Sequence, residues 1–290
     1  MRSKNINKVR IVADSAICLP KELLKKYRIE LVPETIIFGN TIYRDGVDLN
    51  PQEFYTLLEQ APEIPTTSAP SPQDFTHAYQ KVAKKASSIA CILVTSGLSQ
   101  MGLQSALIAK KAFSRYPIEV FDSRAAVGAY GFVVLAAARA AADDKPLAEI
   151  IKVAEDVRER VTTIFTLDTL KYLAKGGRIG KVASLMGSLL NVKPIIEVPT
   201  STGVLEPIQR VRTRQKALQR LLEIMGEKVG TGKDVRVSVD HANAPDDANW
   251  LKAEVSSHFD CAEIFINNWA PVVGVHSGPG TIGLSFYVSG

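Results

Sequence analysis

Five short segments carry the residue types that could bind or transform a ligand. The first, Thr95-Ser-Gly-Leu-Ser99-Gln-Met-Gly102, joins an apolar run to a helical pattern. Ser99 falls at the helix N-cap. A helix N-terminus offers unpaired N–H groups and partial positive charge, so it suits a carboxylate or phosphate. The serine could equally do no more than cap its own helix. The segment also approaches the Gly-x-Ser-x-Gly nucleophile elbow. Gly97 and Ser99 fit, but position 101 is Met and the glycine comes one residue late, at Gly102. A serine esterase built on Ser99 and His276 stays an alternative, although no acid is clearly placed for the histidine. The second segment is Pro65-Thr-Thr-Ser-Ala-Pro70, where two prolines stiffen three consecutive hydroxyls. Hydroxyls donate to a carboxylate without adding charge. The bland reading is an exposed loop.

The third segment, Leu173-Ala-Lys-Gly-Gly-Arg-Ile179 followed by Gly180-Lys181, resembles a P-loop only at a glance. Lys175 and Val182 stand where that motif needs Gly and Ser or Thr. What remains is a basic turn presenting Arg178, suited to an anion or a docking partner, or simply cations at a helix C-terminus. The fourth, Gln209-Arg-Val-Arg-Thr-Arg-Gln-Lys216, alternates Arg210, Arg212 and Arg214 at a strand end and so puts like charges on one face. A basic regulatory or nucleic-acid-binding protein is the alternative it raises. The lack of interleaved aromatics speaks against nucleic acid, and a charged edge also guards against aggregation. The fifth, Val273-Gly-Val-His276-Ser-Gly-Pro-Gly280, sets a histidine in a glycine-rich turn, where its imidazole could bond a carboxylate or lie beside it as a cation. His77, His241 and His258 have no such setting. No His, Cys, Asp or Glu cluster has metal-ligand spacing, so neither a metal nor another cofactor is expected.

The elements that must position these residues alternate between strand and helix. Val9–Ala13, Ile89–Thr95 and Ile118–Phe121 read as strands. Pro20, Asn50-Pro51 and Ser71-Pro72 open helices, the last with Asp74 at its positive end. Ile36–Phe38 and Thr41–Tyr43 flank Gly39-Asn40 as a hairpin. The alternation predicts a parallel sheet with flanking helices, which binds ligands beyond its carboxyl strand ends. Asp14-Ser15, Thr95-Ser96 and Asp122-Ser123 stand at those ends. The Ala- and Gly-rich helix expected over 125–142 is a candidate ligand-tunnel wall, or a tightly packed core helix. Beyond residue 160 the pattern becomes mixed α/β. Asp168 is placed to cap a short helix ending at Gly176-Gly177, and a hairpin is expected around Ser201-Thr-Gly203. The boundary divides an N-terminal lobe of about 9–160 from a C-terminal lobe of about 161–290.

The chain's 290 residues can bury one large α/β unit or two small lobes. Hydrophobic residues at 46% and charged residues at 22% argue against disorder. A net charge of +5 fits an anionic ligand better than it argues for nucleic acid. Three separated cysteines, Cys18, Cys91 and Cys261, suggest a reducing compartment. Residues 1–8 contain no apolar leader, and the longest small-apolar run stops at Arg139, too short for a membrane span. A cytoplasmic protein is expected.

Taken in order, the motifs resemble the DegV family over about residues 9–288, as a single domain. They are Ala13-Asp-Ser15, Thr67-Ser68, Thr95-Ser-Gly-Leu-Ser99, Asp122-Ser123, Thr169-Leu-Lys-Tyr-Leu173, Gly176-Gly-Arg-Ile179, Asn191-Val-Lys-Pro194 and His276-Ser-Gly-Pro-Gly280. The resemblance implies a two-lobed α/β fold holding one long-chain fatty acid, such as hexadecanoate, in a buried tunnel. It implies a carboxylate held by Thr67 and Ser99. His276, Arg178 and Arg210, with Ser96, would surround the head group or face a partner. It further implies a carrier, not an enzyme, presenting the acid to a separate fatty acid kinase subunit that makes acyl phosphate. One departure stands out: where the family usually reads Leu-Ser-Gly-Thr-Tyr, this chain reads Leu98-Ser-Gln-Met-Gly102.

Overall fold

The computed structural model describes residues 8–185, 192–230 and 234–289. In chain order the first half runs β1 (Val9–Asp14), α1 (Lys21–Lys26), β2 (Glu30–Val32), β3 (Thr35–Phe38), β4 (Thr41–Arg44), α2 (Pro51–Gln60), β5 (Thr66–Ser68), α3 (Pro72–Ala83), β6 (Ser88–Leu93), α4 (Gln100–Ala112), β7 (Ile118–Asp122), α5 (Val127–Ala142) and α6 (Leu147–Arg158). The second half runs β8 (Thr162–Thr166), α7 (Lys171–Lys175), β9 (Lys193–Glu197), β10 (Glu206–Val211), α8 (Arg214–Val229), β11 (Val235–His241), α9 (Pro245–His258), β12 (Cys261–Asn268), α10 (Pro271–Ser277) and β13 (Ile282–Val288). A short 3-10 turn covers Gly180–Leu185.

Local chemistry starts several of these elements. Asn50 and Ser71 each close a capping box, with Glu53 and Asp74, and Pro51 and Pro72 occupy the first helical position. Gly39 at φ 57° lets β3 turn straight into β4, with Phe38 opposite Thr41. The extended segment after Pro65 is not a mere exposed loop but pairs as β5 against β3, setting Thr67 opposite Ile36.

The expected α/β architecture is present. A parallel four-stranded sheet has the order β2-β1-β6-β7, and a mixed six-stranded sheet has the order β10-β9-β8-β13-β11-β12. A small antiparallel sheet, β4-β3-β5, lies beside them. Every residue of β6 is buried, as befits a central parallel strand covered on both faces. Helices α3 and α4 pack with the first sheet in one core, around Phe75, Tyr79 and Cys91. Helices α8 and α9 pack with the second in another, around Leu221, Leu251 and Val237. Between the sheets lies α5, buried on nearly all sides and touching β1, β8, β11 and β13. Its glycines permit that closeness. A Cβ on Gly131 would stand 2.4 Å from the Cys18 carbonyl oxygen, and one on Gly128 would stand 2.3 Å from an Asp240 oxygen.

Three expectations need correction. Asp168 does not cap a helix. Leu170 holds the cap position of α7, and Asp168 instead pairs with Lys193 at 2.6 Å and Arg214 at 3.5 Å. The three arginines do not all share one face: Arg210 is exposed on β10 and Arg212 is exposed beyond it. Arg214 opens α8 and turns inward to Asp247 and the Gly280 carbonyl, because two carboxylates stand within its reach. His276 sits in the last turn of α10 and not in a loop, the glycine-rich turn beginning only at Gly278. Residues 1–7 and Asn191, which heads the Asn-Val-Lys-Pro motif, lie outside the described residues.

Candidate functional site

A cavity opens between the two large sheets. Phe165, Leu173, Val198, Leu205, Trp269 and Val272 make its walls chiefly apolar. From the Ala- and Gly-rich segment only Ala126 and Val127 reach the lining, so that helix is mainly a packing element. The cavity meets an outer cleft, and the two share Thr67, Ala69, Leu98, Ser99, Arg178 and Leu205. Thr67, Ser99 and Arg178 therefore stand where the cavity meets the cleft, while Glu34, Thr163, His276 and Ser277 line the cavity alone.

Each polar group is placed by a different element. Thr67 is the middle residue of β5, and its Oγ1 lies 2.8 Å from Nε2 of His276. His276 can come so near because the residue beneath its ring is glycine: a Cβ on Gly176 would sit 2.1 Å from Nδ1. Nδ1 is buried without a hydrogen-bond partner. Burial, and then the positive charge of Arg178, pushes the imidazole down to about 4, so it is neutral at ordinary pH. Of the two roles open to His276, the neutral hydrogen-bonding one fits.

Ser99 holds the N-cap position of α4, yet its side chain makes no capping bond. Its hydroxyl instead turns toward Glu34, donating to Oε1 at a long 3.5 Å. The reading of Ser99 as a mere helix cap fails on that geometry. Arg178 joins both parts of the rim, its Nη1 donating to the Gly176 carbonyl at 2.7 Å and its Nε to that of Leu98 at 3.3 Å. Ser96 is turned outward, its hydroxyl on Asp122 at 2.5 Å, and it lines the outer cleft only. Arg210 lines neither space.

The esterase alternative fares poorly on this geometry. His276 is engaged with Thr67 and not with Ser99, and no acid orients its Nδ1. The sequence reading missed Glu34, which is only 6% exposed and lines the cavity. Its single signal was a charge within Leu31-Val-Pro-Glu-Thr-Ile36, between two apolar stretches. Trp269 and Phe165, whose rings meet edge to face at 5.6 Å, carried no signal that set them apart from ordinary core.

A family model described as "Uncharacterised protein, DegV family" matches residues 8–289. The chain belongs to the DegV family. Protein DegV of Bacillus subtilis is 31% identical over 277 residues, covering 95% of this chain and 98% of its own length. Among solved DegV structures, one from Thermus thermophilus, described for its fatty acid binding, superimposes with a TM-score of 0.91 at 29% identity, covering 97% of this chain and 100% of that one. DegV of Bacillus subtilis, described as a fatty acid binding protein, gives 0.87 at 29% identity and covers 97% and 99%. A stearic acid-binding protein from Eubacterium ventriosum gives 0.86 at 27% identity and covers 97% and 98%. Among the described residues, no helix is long and apolar enough to cross a membrane.

Proposed function

We propose that this chain is a carrier for one long-chain fatty acid, with the tail in the apolar cavity and the carboxylate held at its mouth by Thr67 and Ser99. The observation that carries the reading is that both hydroxyls stand where an apolar chamber meets the outer cleft, neither spent on capping a helix. With His276 donating from Nε2, the Thr67 hydroxyl keeps its own proton for a carboxylate oxygen. The DegV relatives described as fatty acid binding support the ligand class.

The energetics divide the work. A hexadecanoate tail with about 14 buried methylenes gains on the order of 11 kcal/mol at about 0.8 kcal/mol per CH₂, before association costs. The tail supplies affinity, and the head group needs only enough donors to avoid a buried unpaired charge. In this reading the single domain of residues 9–288 works as two lobes meeting at the cavity. The outer cleft, with Ser96 and Arg178 on its walls, is where a separate kinase subunit would reach the carboxylate, and Arg210 belongs to the partner-facing surface. The chain itself is then a carrier and not an enzyme.

The test is mass spectrometry of denatured recombinant protein, followed by hexadecanoate binding to a delipidated sample. Co-purified fatty acid and micromolar or tighter binding are expected; neither appearing would sink the carrier reading. The Thr67→Ala/Ser99→Ala double variant should fold and bind at least about tenfold more weakly, since two bonds to a charged group are lost. Undiminished binding would remove these residues from the head-group site.

A further inference from the structure

Among the described residues lining the cavity, Glu34 is the only acid and Arg178 the only side chain with a fixed positive charge. Glu34 is anchored firmly. Its N–H donates to Ser15 Oγ at 2.9 Å, and its carbonyl accepts from the Asp45 N–H at 2.9 Å. Its Oε1 lies against Ser99 Oγ, the hydroxyl proposed to hold the ligand. A carboxylate reaching Ser99 therefore comes up beside a second carboxyl group.

Charge decides how the two can coexist. The charged and titratable groups facing Glu34 are Asp14 at the end of β1, Asp45 beyond β4, and Arg178 across the cavity mouth. His276, on α10, adds no positive charge. One guanidinium can balance one carboxylate in this apolar chamber; it cannot balance both Glu34 and the ligand. Two carboxyl groups sharing a site do not both ionise, and the proton between them becomes a strong hydrogen bond. Burial, then the neighbouring Asp14 and Asp45, push Glu34 well above the usual carboxylate range, with Arg178 and Ser99 pulling the other way.

We propose that Glu34 is a third holder of the head group, meeting the ligand carboxylate as an un-ionised acid that donates its proton to it. This rests on the carrier reading above and adds a specificity-determining residue to it. Glu34 can donate to a carboxylate oxygen while Ser99 and Thr67 satisfy the other lone pairs.

The test is hexadecanoate binding to the delipidated full chain by calorimetry, with the complex also followed by infrared spectroscopy. Glu34→Ala should weaken binding about tenfold or more, because a donor to a charged group is lost. Glu34→Gln, isosteric and still a donor, should stay within about threefold of the wild type. Its complex should lose an un-ionised carboxyl C=O stretch that the wild-type complex shows. An ionised, repelling Glu34 would make both variants bind tighter, and that result overturns the inference. So does an infrared spectrum that Glu34→Gln leaves unchanged. If the alanine variant does not fold, the glutamine variant decides alone by the same two readouts. Wild-type protein that binds no hexadecanoate removes the carrier reading and this inference together; tight wild-type binding with either contrary result removes Glu34 alone.

Discussion

At the scale of single residues, the candidate site contains a side chain that does not perform the duty its position suggests. Ser99 stands where a serine normally caps a helix, but its hydroxyl points elsewhere. Thr67 is paired from behind by a neutral imidazole, its Oγ1 2.8 Å from Nε2 of His276. That support depends on Gly176. Its φ of −77° would accept alanine, but the new methyl would collide with the His276 ring. Gly176→Ala should leave the fold intact, push the imidazole off Thr67 and weaken hexadecanoate binding about tenfold, the worth of one supporting bond. A dissociation constant unchanged in calorimetry would show that the Thr67–His276 pair is dispensable. Thr67, Ser99, His276 and Arg178 were all candidates in the sequence, but each segment taken alone was weak, with a bland reading at least as good for Thr67, Ser99 and Arg178, and it was the ordered set of motifs that raised them. Glu34 was not a candidate, since nothing in one dimension tells a buried carboxyl from an exposed one.

At the scale of elements, local signals set boundaries well wherever a side chain acts on its own helix, as Asn50 and Ser71 do. They fail where a helix end is served from afar. Helix α5 begins after Ala126, which has no side chain to cap it. Its Gly128 N–H instead donates at 3.1 Å to Asp240, carried by β11. The same carboxylate accepts from Ser238 at 2.5 Å and Ser285 at 2.8 Å. Asp240→Ala would leave these buried donors without their acceptor and is expected to cost about 3 kcal/mol. The shift would be read as a lower urea midpoint at unchanged slope. A loss under 0.5 kcal/mol would mean the network rearranges at no cost. No sequence pattern could have announced this cap, because its two partners are 112 residues apart.

At the scale of the whole molecule, buried acids should set an unusual pH dependence. Burial raises Asp45 to about 7 and Asp240 to about 6, and it pushes Asp14 upward as well. Each folded value exceeds the unfolded one near about 3.9, so the native state binds more protons in between. Stability is then full below pH ~4 for these groups and declines as pH rises through about 6 to 7. The urea midpoint of the delipidated protein should be higher at pH 5 than at pH 8, and Asp45→Asn should flatten the difference. A midpoint that rises toward pH 8 in the wild type would contradict the assignment.

The sequence by itself determined the class of fold, most element boundaries and four of the residues that line the cavity. The fold class and the boundaries follow from information carried within a few residues: hydrophobic period, proline and glycine punctuation, and capping side chains; the site residues were weak there and rest on the order of the motifs. The ordered motifs added the family. Tertiary structure alone decided that Ser99 does not cap its own helix, that His276 is neutral and pairs with Thr67, that Arg214 turns inward while Arg210 does not, and that a buried carboxyl lines the cavity. Each of these depends on distances between segments far apart in the chain, and on the desolvation that appears only when the two sheets close over α5. For Thr67 and Ser99, the sequence supplied two hydroxyls, and the fold set them at the opening of an apolar chamber.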